Sequence, residues 1–181
     1  MNIEAEIRSF ITKEQYNFFL DFFAENAKLI KEDEQETHYF DTLEDLRIQE
    51  NRFFSKIWMK KGKIHDEQRE EIEVKLPKED FDKLQKIFVA AGHNVKIKWF
   101  RKRHEFDWNG ISVCLDFTKG YGYIIELEKM CSESEKDEAV EILKQKLSDL
   151  NVKQTPREEF EEKFKYYQEN WRNLLLIMVL Q

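Results

Sequence analysis

The chain has 181 residues, of which 41% are hydrophobic and 37% charged, and carries a formal net charge of −7. That length buries one substantial core, and the sign of the charge argues against a protein that neutralises the phosphates of a nucleic-acid duplex. With 5 Gly, 2 Pro and 2 Cys there is no low-complexity linker, disulfide framework or cysteine zinc site, so we expect one domain over 1–181 with reduced thiols, in the cytoplasm.

The N-terminal segment MNIEAEIRSF carries charges where a signal peptide needs an apolar core. Within it Ile3, Ala5 and Ile7 alternate with Glu4, Glu6 and Arg8, the period of a strand with one buried face. Thr12 and Gln15 form a capping box ahead of Tyr16, Phe19, Leu20 and Phe23, which predicts a helix. Its aromatic run of Phe18, Phe19, Phe22 and Phe23 reads as packing between helix and sheet. Leu46 and Ile48 then alternate with Arg47 and Gln49, and Ile57 and Met59 with Trp58 and Lys60. After a turn at Lys61-Gly62-Lys63, the residues Ile72, Val74 and Leu76 alternate with Arg69, Glu71, Glu73 and Lys75.

Pro77 opens a second helix through Phe81, Leu84, Ile87, Phe88 and Ala91 that stops at Gly92. Beyond it Phe100, Lys102, His104 and Phe106 alternate with Trp99, Arg101, Arg103 and Glu105. Val113, Leu115 and Phe117 alternate with Cys114 and Asp116, and Ile125 and Leu127 with Glu126 and Glu128. Asn109-Gly110 between two of these runs is a hairpin signal, and Lys119-Gly120-Tyr121-Gly122 marks another turn. Ser132 and Glu135 repeat the capping box before Ala139, Ile142, Leu143 and Leu147. Thr155, Pro156 and Glu158 start a last helix with Phe160, Phe164, Tyr167 and Trp171 at helical spacing. Residues 171–181 form an apolar C-terminal extension, far short of the roughly 20 residues that cross a bilayer. Many antiparallel strands with helices inserted between hairpins make the fold class α+β.

Residues i and i+2 share one face of a strand, so Glu4 with Glu6, Glu71 with Glu73, and Glu126 with Glu128 each set two carboxylates side by side. A solvated face accounts for any one strand. A face whose only task is solvation gains by mixing signs, however, because like charges repel. Paired carboxylates suit hard divalent cations such as Mg²⁺ or Mn²⁺, and Arg47, Lys60, Arg69, Arg101 and Arg103 suit phosphate oxygens. His38, His65, His93 and His104 are scattered without partners at catalytic spacing and read as surface or strand-edge residues.

The order of these segments resembles the CYTH superfamily, the triphosphate tunnel metalloenzymes, from the N-terminus to about residue 170. Glu4-Ala5-Glu6-Ile7-Arg8 is similar to that family's Glu-x-Glu-x-Lys, and Tyr39-Phe40-Asp41-Thr42 to its Tyr-Phe-Asp-Thr. Leu46-Arg47-Ile48, Ile57-Trp58-Met59-Lys60, Arg69-Glu70-Glu71-Ile72-Glu73 and Arg101-Lys102-Arg103 follow in family order. Leu115-Asp116 and the stretch from Gly120 to Glu128 resemble the closing Leu-Asp and Gly-x-Gly-x-x-x-Glu-x-Glu elements. Arg8 stands where the family has lysine, and Gln49 where it has a second arginine.

The resemblance implies a closed eight-stranded antiparallel β-barrel, the triphosphate tunnel, with helices packed on its outside. It implies Glu4, Glu6, Asp116, Glu126 and Glu128 as metal-side carboxylates, with Glu4, Glu6 and Glu128 catalytic. Arg8, Arg47, Lys60, Arg69, Arg101 and Arg103 would hold the triphosphate, and Glu71 and Glu73 would line the tunnel. The implied activity is Mg²⁺- or Mn²⁺-dependent hydrolysis of a triphosphate, inorganic tripolyphosphate before an organic one, because no base-recognition pocket is legible. A class IV adenylyl cyclase is the alternative; the cyclases compared carry His-Phe before the first Glu-x-Glu, where this chain has Asn2-Ile3. A non-catalytic polyphosphate- or nucleotide-binding module is the third reading. The partner expected is a small triphosphate, with no nucleic acid and no membrane, for a monomer or homodimer.

Overall fold

In a computed structural model that describes residues 3–60 and 71–179, apolar alternation and capping signals become regular structure in chain order. The elements are β1 (Ile3–Ile11), α1 (Lys13–Asn26), β2 (Lys28–Phe40), β3 (Asp45–Glu50), β4 (Ser55–Lys60) and β5 (Glu71–Leu76). They continue with α2 (Phe81–Ala90), β6 (Val95–Trp108), β7 (Ile111–Thr118), β8 (Gly122–Cys131), α3 (Lys136–Asp149) and α4 (Arg157–Val179). Arg69, His65 and the Lys61-Gly62-Lys63 turn lie outside the described residues.

The eight strands form one antiparallel sheet in the order β1-β8-β7-β6-β2-β3-β4-β5. It is barrel-like, but among the described residues no ladder joins the edge strands β1 and β5. Both expected capping boxes form, at Thr12 with Gln15 and at Ser132 with Glu135. The β6–β7 hairpin turns on Asn109 and Gly110, both at positive φ (55° and 80°), the backbone of a type I′ turn.

The two faces of the sheet differ. Ala5, Ile7, Val113, Leu115, Ile125 and Leu127 pack with Phe19 and Phe23 of α1 and Leu143 and Leu147 of α3. Phe40 and Ile48 pack with Phe81 and Leu84 under α2. This is the outer face, where helices were expected.

The fourth helix departs from that expectation. The chain passes the β1 edge, where the Phe10 N–H donates to Thr155 Oγ1 at 2.9 Å, and α4 then lies on the other face. Its stripe Phe160, Phe164, Tyr167 and Trp171 packs with Ile97 and Ile124, and with the half-buried Phe10, Tyr39 and Trp99. A wide apolar stripe must be buried somewhere, and this end of the inner face supplies the matching apolar patch. Leu174 and Leu175 belong to the same cluster, so the C-terminal extension docks on its own chain at least that far.

His38 also differs from the surface reading. It is 1% exposed, packs on Phe81 with ring centroids 4.8 Å apart, and its Nε2 lies 2.6 Å from Glu36 Oε1. None of the described helices is long and apolar enough to cross a membrane.

Candidate functional site

Directly opposed residues of an antiparallel ladder share one face, so the register alone assembles a charged surface. Across β1–β8, Glu6 stands opposite Glu128 and Arg8 opposite Glu126. Across β8–β7, Glu126 faces Cys114 and Glu128 faces Ser112. Across β7–β6, Asp116 faces Arg103; across β6–β2, Arg103 faces Asp33 and Arg101 faces Gln35. The set continues with Tyr39 opposite Arg47, Asp45 opposite Lys60, and Glu71 and Glu73 opposite Lys60 and Trp58. Glu4, Glu6, Arg8, Arg47, Lys60, Glu71, Glu73, Arg101, Arg103, Asp116, Glu126 and Glu128 therefore occupy one face. It is the face that α4 covers at one end.

Carboxylates gather at the β1–β8 part of this face. Glu126 is 9% exposed. Burial alone would raise its pKa, but Arg103, a hydrogen bond from Glu128, Arg101 and Arg8 outweigh it and hold Glu126 at about 2. Glu128 is pushed the other way, to about 10, by burial first and then by the Glu126 charge and the hydrogen bond to it. Glu6 is pushed up to about 7 by the Glu126 carboxylate and then by burial, against the pull of Arg8. The cluster thus holds more carboxyl groups than its cations neutralise, and Glu128, with Glu6 in part near neutral pH, retains a proton that a metal ion could replace.

The arginines lie next to it. Arg103 donates to Asp116 at 2.8 and 2.7 Å and to Glu126 at 2.9 Å, and Arg101 donates to Asp116 at 3.2 Å. Asp116, implied by resemblance to be a metal-side carboxylate, is here the shared counter-ion of two guanidinium groups. Arg101 also donates twice to Gln35 Oε1, at 2.9 and 2.6 Å. Gln35 in turn donates to Asp33 at 3.1 Å, and Gln49 donates to Gln35 and to Thr37 at 3.3 and 3.0 Å.

On the β3–β5 side Arg47 binds the Asp45 carboxylate and lies over the Tyr39 and Trp58 rings, 4.2 and 5.4 Å from their centroids. Glu73 is bound by Lys56 at 2.7 Å. Glu4 is exposed near the start of β1, and Glu71 is placed by its backbone pairing with Lys60.

Sequence reasoning missed Asp33, Gln35, Thr37 and Lys56 as members of this face, and it set Cys114 beside Asp116 without a role. The odd positions of β2 carried the available signal, since Asp33, Gln35 and Thr37 precede Tyr39 with period two.

The donor set fits a divalent cation. Ligand atoms of Cys114, Glu126 and Glu128 lie within 4.8 Å of one another, and the two carboxylates supply the oxygen donors that hard cations prefer. Farther along, the guanidinium groups supply planar donors for phosphate oxygens.

Known proteins resemble the chain in sequence and in fold. A family model described as the CYTH domain matches residues 2–163. A Methanocaldococcus jannaschii protein named "Putative adenylate cyclase MJ0240" is 36% identical over 138 residues, 69% of this chain and 77% of its own. Among solved structures, the PH1819 protein of Pyrococcus horikoshii is 27% identical with a TM-score of 0.70, over 85% of this chain and 93% of its own. A Hippeastrum protein described as a "putative adenylyl cyclase" with a dominant triphosphatase activity has a TM-score of 0.63, over 84% of this chain and 89% of its own. At 17% identity that last likeness concerns the fold.

Proposed function

The chain belongs to the CYTH domain family, and from that premise we propose that it is a divalent-metal-dependent hydrolase of triphosphates, with inorganic tripolyphosphate its preferred substrate. The observation that carries this reading is the juxtaposition on one sheet face of the Glu6–Glu126–Glu128 cluster with Arg8, Arg101 and Arg103. Phosphoryl transfer asks a protein mainly for positioning and charge compensation, and this face offers both.

In this reading Glu126 and Glu128, with Glu4 and Glu6 beside them, hold the cation. A divalent ion bound there supplies charge neutralisation and polarisation of the phosphoryl oxygens. Arg8, Arg101 and Arg103 bind the phosphate chain, with Arg47 and Lys60 extending the basic surface across β3 and β4. Glu6, more than a third exposed and opposite Glu128 on the same face, accepts the proton of the attacking water, the task of a positioned carboxylate base. Tripolyphosphate is preferred because the aromatic residues of the face are already engaged: Tyr39 and Trp58 by Arg47, and Trp99 by Tyr121 and Tyr167.

Phosphate release from tripolyphosphate with Mg²⁺ or Mn²⁺ tests the reading, and no release with either ion from folded protein sinks it. The name of the Methanocaldococcus jannaschii relative favours a second reading, in which the ribose 3′ hydroxyl of ATP attacks and pyrophosphate leaves. Cyclic AMP with pyrophosphate, in place of orthophosphate, would select that reading.

A further inference from the structure

The carboxylate cluster contains a sulfur. Cys114 faces Glu126 across the β7–β8 ladder, is 1% exposed, and its Sγ lies within 4.8 Å of ligand oxygens of Glu126 and Glu128. The second cysteine behaves differently: Cys131 sits in the outer apolar core, where a small, weakly polar side chain is at home. A second observation points to the same place. Ser112, opposite Glu128 and two residues before Cys114 on the same face, has a wholly buried hydroxyl oxygen with no hydrogen-bond partner. A buried polar atom without a partner costs free energy unless something binds it.

We infer that Cys114, Glu126 and Glu128 form a mixed sulfur–oxygen site that takes thiophilic divalent cations such as Zn²⁺ or Cd²⁺ in preference to Mg²⁺. Thiolate sulfur selects softer ions, whereas Mg²⁺ prefers oxygen alone. In a tetrahedral zinc site the donor atoms lie about 3.5 Å apart, so the three atoms need only a small closing movement. Arg103 occupies one Glu126 oxygen, and a carboxylate has a second to offer. Binding replaces the Cys114 thiol proton, which leaves to solvent. A thiophilic ion held here would share Glu126 and Glu128 with the ion proposed for catalysis and would compete with it.

The inference rests on reading this cluster as a divalent-cation site, so the test reads binding and not turnover. Reduced wild-type protein, Cys131→Ser and Cys114→Ser would be titrated anaerobically with Cd²⁺, following the thiolate-to-metal charge-transfer band, and with Zn²⁺ and Mg²⁺ by calorimetry. We expect the band in wild type and in Cys131→Ser, whose only thiol is Cys114. In Cys114→Ser the band is lost and Zn²⁺ affinity falls by more than roughly tenfold. Because Cys131→Ser isolates the thiol, the outcome does not depend on Cys114→Ser folding. Oxygen-only binding, with Mg²⁺ bound and no band in either cysteine-containing protein, overturns the role of Cys114 and leaves the triphosphatase reading standing. No divalent ion bound at all overturns both.

Discussion

Arg103 on β6 reaches past β7 to Glu126 on β8, donating at 2.9 Å, while it grips Asp116 at 2.7 and 2.8 Å. Burial alone would depress its pKa, yet these two carboxylates hold it well above the ordinary arginine value. Arg103 therefore holds three strands of the inner face together and keeps one member of the acid cluster charged.

Removing that charge leaves the buried Glu126, 9% exposed, without its guanidinium partner and the buried Asp116, 3% exposed, with Arg101 alone. Breaking a buried pair from one side costs about 3–5 kcal/mol. Arg103→Met, which keeps the aliphatic stem, is expected to lower stability by about 3 kcal/mol, read from the urea midpoint. Adding Asp116→Asn to it should recover part of the loss in a double-mutant cycle. Strict additivity of the two would show that they do not interact.

The acid cluster sets the direction of pH dependence. Glu6 and Glu128 have folded-state pKa values raised to about 7 and about 10, above the unfolded value of about 4.3. Between those limits the folded state binds more protons, so metal-free stability falls as pH rises from about 4 to about 10. Glu126, held at about 2, acts oppositely, and its contribution is lost as pH falls from about 4.3 to about 2. The melting temperature of metal-free protein should therefore decline from pH 5 to pH 9. Added Mg²⁺ or Mn²⁺, replacing the retained protons, should raise it more at pH 9 than at pH 6. A metal effect independent of pH would separate the cation from these carboxyls.

Glu6→Gln keeps the shape of the side chain and removes the proton acceptor. Its rate with tripolyphosphate is expected to fall by about 10²–10⁴-fold, the usual contribution of a positioned base, with little change in the urea midpoint. Wild-type turnover would exclude Glu6 from the chemistry.

Gln35 orients Arg101 with a single oxygen that accepts two of its N–H groups. Gln35→Leu preserves bulk and removes the acceptor, leaving Arg101 less well aimed. The expected result is a rise in KM of roughly tenfold, worth about 1.4 kcal/mol, with kcat less affected, since a lost ground-state contact appears first in KM. An unchanged KM would mean that the Gln35–Arg101 bond serves only packing.

The parts of this face that were legible in the sequence lie on strands with one apolar side. Val113, Leu115, Ile125 and Leu127 advertise their strands by alternation, and so give away Asp116, Glu126 and Glu128 between them. The sequence of β2, KLIKEDEQETHYF, is polar on both faces through its middle: Glu32 and Glu34 meet solvent while Asp33 and Gln35 are buried in the charged face. Hydrophobic periodicity has nothing to report there, and Gln35 and Asp33 went unseen with it. Cys114 was visible as a residue but not as a neighbour of Glu126, because register is a property of the ladder. The placement of α4 was hidden for a related reason: its aromatic stripe predicts burial, and only the apolar ends of β1, β2, β6 and β8 decide which face receives it.

That placement yields a comparison between two glycines. Gly110 and Gly120 both have positive φ, 80° and 74°, so alanine at either position carries a similar backbone strain. A Cβ at Gly110 meets nothing within 4 Å, whereas one at Gly120 falls 2.8 Å from Leu174 Cβ on α4. Gly110→Ala should cost only the left-handed penalty of about 1–2 kcal/mol, and Gly120→Ala a further 1–3 kcal/mol or so for the overlap. The clash atom is itself a Cβ, so no change of rotamer relieves it and the end of α4 must move. The Trp171 indole, which donates to the Lys96 carbonyl at 3.0 Å, should then exchange its proton faster in Gly120→Ala and at the native rate in Gly110→Ala. Equal urea midpoints and equal exchange rates in the two variants would show that the last turns of α4 do not dock against the β7–β8 turn.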